Sequence, residues 1–208
     1  MNPITYGQIA DQVLRLIDEY SRKGVANAVS KTADYRLKIP DAVNEIQMDL
    51  ANSFGRLYKE WEIANAAATY PTETSATLPV DWLKMAAVNQ VIGSKYWVPF
   101  TEYRLSPTAL LYNSTQAGKI VITYFRKPTP VAVVDTAAPT VSELAQIIDV
   151  IPAAEYIVPI GVAGKILMVD DPTSSVELLN YYEARKFALE PGRPSASVEV
   201  ITDMYGGL

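Results

Sequence analysis

The chain has 208 residues, room for one large or two small folded units, and its 49% hydrophobic and 20% charged residues are ordinary values for a soluble folded protein. Cysteine and histidine are both absent, which excludes disulfides, thiolate nucleophiles, imidazole bases and metal centres built on those ligands. A formal net charge of −5 speaks against a surface made to grip phosphate backbones and suits one that DNA passes without sticking.

The opening MNPITYG has no basic segment ahead of an apolar core, so no export signal is expected. Thr5 and Gln8 form a T-x-x-Q capping box, and Ile9, Val13, Leu16, Ile17 and Tyr20 share one face, which predicts a first helix ending at Gly24. The segment 22–38 reads as a loop and is the one locally basic stretch, with Arg22, Lys23, Lys31, Arg36 and Lys38 against Asp34. Its functional reading is a DNA or partner contact; a solvated loop is the simpler one.

A second helix is expected from Pro40 at a first helical position, with Asp41 and Glu45 at the positive end of the dipole. Val43, Ile46, Leu50, Phe54, Leu57 and Trp61 carry it over about five turns at spacings of three and four. Gly55 marks a close approach of backbones, and Arg56 stands one turn from Glu60.

From residue 66 to 134 the texture is that of strands. AAATYP and SATLP around TETS read as one hairpin, and MAAVNQV and KYWVPF around Gly93-Ser94 as a second. SPTALLYNST is expected to be a short helix capped by Ser106, and Gly118 a turn residue before KIVITYFRKP. In that run Ile120, Ile122 and Tyr124 face one way and Val121, Thr123 and Phe125 the other, as in a central strand. Helix returns in PAAEYIVPIGVAGKILMV, with a kink expected at Pro159. It resumes in DDPTSSVELLNYYEARKFAL, with Asp171 as N-cap, a Ser174/Glu177 capping box and an apolar arc of Val176, Leu178, Leu179, Tyr182, Phe187 and Leu189. The apolar run around Pro159 is broken by Gly161, Gly164 and Lys165, short of the roughly 20 residues a membrane span needs, so no membrane partner is expected. Residues after Pro194 look extended, with Val198 and Val200 alternating with polar neighbours, and read as disordered alone and ordered as a strand on a partner.

Tests for chemistry fail in turn. IGVAGKI has Pro159 where a phosphate-binding loop needs glycine and Ile166 where it needs a hydroxyl; close helix packing through Gly161 and Gly164 is expected instead. Asp170 and Asp171 with nearby hydroxyls are a candidate cation site, but capping claims the same residues and no EF-hand glycine is present. Asp81 beside Trp82 is a candidate acid of raised pKa with no second carboxylate near it in sequence. The architectural reading has Pro79 closing a strand, Asp81 capping the turn, and Trp82 and Leu83 folding the chain back onto the helices. No catalytic residue, cofactor or metal is predicted.

The succession of two helices, a hairpin ending TLPVDWLKM, a second hairpin with an aromatic leaving its turn, the strand ITYFRKP, two further helices and the tail ITDMYGGL resembles the head–tail adaptor proteins of tailed bacteriophages, also called connector, neck or tail tubular A-type proteins. The resemblance covers nearly the whole chain and lies in order and texture. It implies an α+β fold: a helical bundle from residues 1–64 and 150–190, an inserted antiparallel β-rich domain at 65–149, and an extended C-terminal tail at 191–208. It further implies a homo-oligomeric ring, commonly a dodecamer, below the portal of the virion, assembled in the host cytoplasm. The partners would be the portal protein, a downstream neck or tail protein, and genomic DNA passing without sequence-specific contact. The family's portal-docking tail maps to Ser195–Leu208, with Val198, Val200, Ile201, Met204 and Tyr205 as contacts. Another neck ring, a stopper or terminator, is the alternative within structural proteins; a carboxylate- or metal-dependent hydrolase is the alternative outside them.

Overall fold

The computed structural model describes residues 3–21, 29–54, 57–65, 73–92, 96–113 and 118–189. The first helix, α1 (Tyr6–Ser21), starts at the predicted box: the Thr5 N–H donates to Gln8 Oε1 at 2.9 Å and the Gln8 N–H to Thr5 Oγ1 at 3.4 Å. Its Ile9, Val13 and Ile17 are buried. Gly24 lies outside the described residues.

The second helix departs from expectation at both ends. It is α2 (Val29–Phe54), so Lys31, Arg36 and Lys38 belong to a helix and Pro40 to its interior. The apolar stripe explains the early start, because Tyr35 and Ile39 are buried at helical spacing ahead of Val43, Ile46 and Leu50. Pro40 costs one hydrogen bond, since it has no N–H for the Arg36 carbonyl. At the other end Leu57 and Trp61 are no longer helical: β1 (Tyr58–Asn65) begins instead. Trp61 and Ile63 pack on the sheet core while Glu60 and Glu62 point to solvent, an alternation hidden by spacings of four that also fit a helix. Glu60 therefore stands on a strand, with no helical turn beneath it to pair across; Gly55 and Arg56 lie outside the described residues.

Two antiparallel sheets follow. β1, β3 (Trp82–Ile92), β4 (Tyr96–Pro99) and β7 (Gly118–Arg126) form one, in the order β1-β7-β3-β4. β2 (Glu73–Thr77), β5 (Tyr103–Leu105) and β6 (Ala109–Asn113) form the other, in the order β2-β6-β5. The β3–β4 hairpin and the central place of β7 match the sequence reading. The turn expected at TETS is not one: Glu73, Thr74 and Ser75 belong to β2, which pairs with β6, with Thr74 opposite Tyr112, while the run at 66–71 lies outside the described residues. ALLYN is a strand, not a helix. Ser106 caps the tight turn before it, its hydroxyl 3.0 Å from both the N–H and the carbonyl of Ala109. Gly118 opens β7 and is no turn residue; a Cβ there would sit 2.5 Å from the Val91 carbonyl oxygen. Val88, Leu110, Tyr112, Ile120 and Ile122 close the space between the sheets.

Trp82 corrects another expectation. It turns onto the sheet, stacked on Tyr124 at 5.0 Å and edge-on to Trp61 at 6.5 Å, and packs in the sheet core rather than on the helices.

After the connector comes a short helix, α3 (Val141–Leu144), closed by a Thr140/Glu143 capping box that the sequence reading passed over. A 3₁₀ turn (Pro152–Ile157) leads into α4 (Val158–Leu167). Pro159 sits in the first turn of α4, where its missing N–H costs nothing, so it starts a helix instead of kinking one. α4 is buried almost all round and touches α1, α2 and α5 (Pro172–Leu189). The predicted close packing at its glycines is present: a Cβ on Gly161 would lie 2.7 Å from Ile46 and 2.9 Å from Tyr182, and one on Gly164 2.9 Å from Leu179. Asp171 caps α5 as expected, accepting from the Ser174 N–H at 3.1 Å, but the Ser174 hydroxyl donates back to Asp171 at 2.6 Å, so this pair makes the cap. The α5 arc is narrower than predicted. Leu178 and Tyr182 are buried, whereas Val176 and Phe187 are more than half exposed.

The protein is thus mixed helix and antiparallel sheet, with a helical core that also takes in Val131 and Ile148 of the connecting segments, and a separate sheet core.

Candidate functional site

A groove of about 680 Å³ lies where α2 meets the exit of β7 and the Leu-Pro-Val-Asp-Trp corner. Met48 of α2, Pro79 and Val80 of the corner, and Pro128 and Pro130 beyond β7 supply apolar lining. Two backbone bonds set the corner: the Trp82 N–H donates to the Pro79 carbonyl at 3.0 Å, and the Lys127 N–H to the Asp81 carbonyl at 2.7 Å. The turn leaves Val80 99% exposed at the groove's rim.

The ionisable groups around the groove hold the fold together. Asp81 receives Lys59 Nζ on one oxygen and the Tyr124 hydroxyl on the other, each at 2.8 Å. Burial alone would raise its pKa, but these two donors outweigh it and hold the carboxyl below its usual range. Asp81 is therefore an ionised anchor, the opposite of a poised acid beside a tryptophan wall. Burial, followed by the Asp81 carboxylate, pushes the Tyr124 phenol up.

A second cluster seals the base. Arg126 grips Asp149 through both nitrogens, at 2.5 and 2.9 Å, and the Thr129 N–H adds a bond at 2.9 Å. Burial opposes the charge on Asp149, yet the guanidinium and the Thr129 N–H leave its pKa lowered. Gln47 accepts from the Asp149 N–H at 2.7 Å, and Asn44 makes a reciprocal pair with the Val131 backbone at 2.7 and 3.0 Å. These contacts bind α2 to the connector. Lys59 and Lys127 are exposed cations on the lining; Lys59 is paired with Asp81, whereas the Lys127 ammonium group makes no hydrogen bond or ion pair among the described residues.

The predicted site residues do not gather here. Val198, Val200, Ile201, Met204 and Tyr205, with Arg22 and Lys23, lie outside the described residues. Arg36 and Lys38 are two apart on a helix, about 200° around its axis. Arg36 lines a small cleft with Tyr6 and Leu144, while Lys38 stands 4.0 Å from Asp170. The described part of the basic segment is thus a helix whose two charges face different neighbours. Asp171 spends both oxygens on Ser174, and among the described residues no three carboxylates gather where a metal ion could be held. Nor, among those residues, is any helix long and apolar enough to cross a membrane.

The sequence reading singled out Asp81 but missed Lys59, Tyr124, Arg126, Asp149, Asn44 and Gln47 as its setting. One signal was available: RKPTP after a strand places a cation just ahead of two rigid residues. A scan against protein-family models and a search of curated proteins both return no match for this chain.

Proposed function

We propose that this chain is a structural virion protein, a head–tail adaptor that assembles as a homo-oligomeric ring below the portal, extends the DNA channel and offers the tail its platform. On this reading the helices form a bundle around the channel, the β-rich part meets a neighbouring subunit or the tail, and residues 195–208 dock on the portal. No reaction is assigned to it, and no cofactor.

The observation that carries the reading is the apolar surface of two of the four outer strands. Among the described residues β4 and β5 each lie at the edge of a sheet, and they expose Trp97 (55%), Val98, Tyr103 and Leu105. Natural proteins guard free edges with charge, proline or a covering segment, because unpaired, apolar edges seek another chain. Edges of this kind suit a subunit of a closed ring, where each copy presents one surface and receives another. The carboxylates at the groove support the same view, since Asp81 and Asp149 are held ionised by cations and donors that position the backbone. A net charge of −5 suits a conduit that lets DNA slide. A stopper or terminator ring would share all these features and differ only in its neighbours.

Electron microscopy of the purified protein mixed with its portal tests the proposal. Stacked rings are expected. A protein that stays monomeric at high concentration and ignores the portal overturns it. Ending the chain at Pro194 is expected to leave unfolding cooperative while weakening portal attachment.

A further inference from the structure

We infer that the groove between α2 and the Pro79–Asp81 corner is a docking site for an extended segment of another protein, one that sets an acidic residue beside bulky aliphatic ones. The inference rests on the groove's own chemistry and stands apart from the adaptor reading.

Size and lining come first. A volume of about 680 Å³ falls within the roughly 300–1,000 Å³ of ordinary binding sites. Met48, Pro79, Val80, Pro128 and Pro130 give it apolar walls, and methionine adapts its shape to whatever lies on it. Val80 is 99% exposed, and Lys127, Thr129 and Pro130 are exposed with it. The lining is therefore open to solvent, and a chain can enter and leave along it. Covering such carbon surface is favourable by about 25 cal/mol per Å².

The backbone of one wall decides how a visitor is held. The Arg126 N–H goes to the Leu57 carbonyl at 2.8 Å and the Lys127 N–H to the Asp81 carbonyl at 2.7 Å. The Thr129 N–H goes to Asp149 at 2.9 Å and the Val131 N–H to Asn44 at 2.7 Å. Pro128 and Pro130 have none to give. From Arg126 to Val131 no backbone donor is left, so a visiting strand finds no ladder to join. Side chains must do the selecting.

Charge says which side chains. Lys59 is matched by Asp81 at 2.8 Å, and Arg126 by Asp149. The Lys127 ammonium is the cation left over on the lining, in a chain whose net charge is −5. A carboxylate on the visitor supplies its partner, and the attraction strengthens as the visitor's aliphatic groups displace water from the site. An acid beside aliphatic residues thus answers both the walls and the surplus charge.

Panning a random library of displayed peptides on the immobilised full-length protein tests this. The selected sequences are expected to share Asp or Glu beside Leu, Ile, Val or Met. A synthetic peptide of that consensus, followed by fluorescence anisotropy, should lose about tenfold in affinity, ~1.4 kcal/mol, in Lys127→Glu. Val80→Asp should weaken it comparably by placing a carboxylate on the apolar rim. Both side chains are exposed, so neither change disturbs a core. Val169→Asp is the control, 81% exposed just past the end of α4, and should leave affinity unchanged. Panning repeated on Lys127→Glu should lose the acidic preference. No consensus, a consensus without acids, or equal binding by all three variants would each overturn the inference. So would a consensus that reproduces a stretch of this chain, which would give the groove to the chain itself or to a second copy.

Discussion

At the scale of single residues, the stabilising charges work by tying distant segments together. Asp149 is the sharpest case, because its carboxylate, with the side chain 17% exposed, meets Arg126, itself 26% exposed. Its folded pKa lies below the unfolded value, so its stabilisation is present above about pH 4 and is lost as pH falls through the folded value. Asp149→Asn is expected to lower stability at neutral pH by roughly 2–3 kcal/mol, since it leaves Arg126 half-buried without its partner. The deficit relative to the parent should shrink as the solution is acidified below pH ~4, and urea melts at several pH values would read it. Gly161 makes the complementary test. Its added methyl would press on Ile46 and on a Tyr182 ring that Asp49 holds in place, so Gly161→Ala is expected to cost about 1–3 kcal/mol, whereas alanine in an open helix would be an improvement.

At the scale of elements, α4 and α5 are stapled by a buried bond from the Ser175 hydroxyl to the Gly164 carbonyl, 2.7 Å long. Ser175→Ala should cost about 1–2 kcal/mol and raise the unfolding rate or lower the thermal midpoint accordingly. Elements whose pattern was local were legible in the sequence: the Thr5/Gln8 start of α1, the central strand β7, the β3–β4 hairpin, and the Asp171 cap of α5. Those decided by distant partners were not. Leu57 and Trp61 fit a helix by spacing, yet Leu57 precedes β1 and Trp61 lies on it, because β7 offers Tyr58 and Trp61 the facing residues Phe125 and Ile122. β2 finds β6 more than thirty positions away, a choice no adjacent turn could announce. The groove's setting was hidden for the same reason: Arg126 and Asp149, Asn44 and Val131, and Gln47 and Asp149 are 23, 87 and 102 positions apart.

At the scale of the whole molecule, one core lies among the helices and the other between the sheets. The apolar edges at β4 and β5 are then the surface through which copies would meet. Trp97→Glu is expected to leave the circular dichroism spectrum and thermal unfolding of the subunit nearly unchanged, because the ring contributes little to either core. It should abolish the ring in native mass measurement; rings of undiminished size would count against the edge as the joint.

The directions in which the ionisable groups are displaced carry a further meaning. Carboxyls such as Asp81, Asp149 and Asp171 move down, phenols such as Tyr124 and Tyr182 move up, and Lys59 and Lys186 move up with them. With no histidine in the chain, these displacements widen the gap between acidic and basic titrations, and the side-chain charge is nearly constant from mild acid to mild alkali. Such a molecule is deaf to the acidity of its surroundings, and whatever sets the moment of its assembly must arrive as touch from another component.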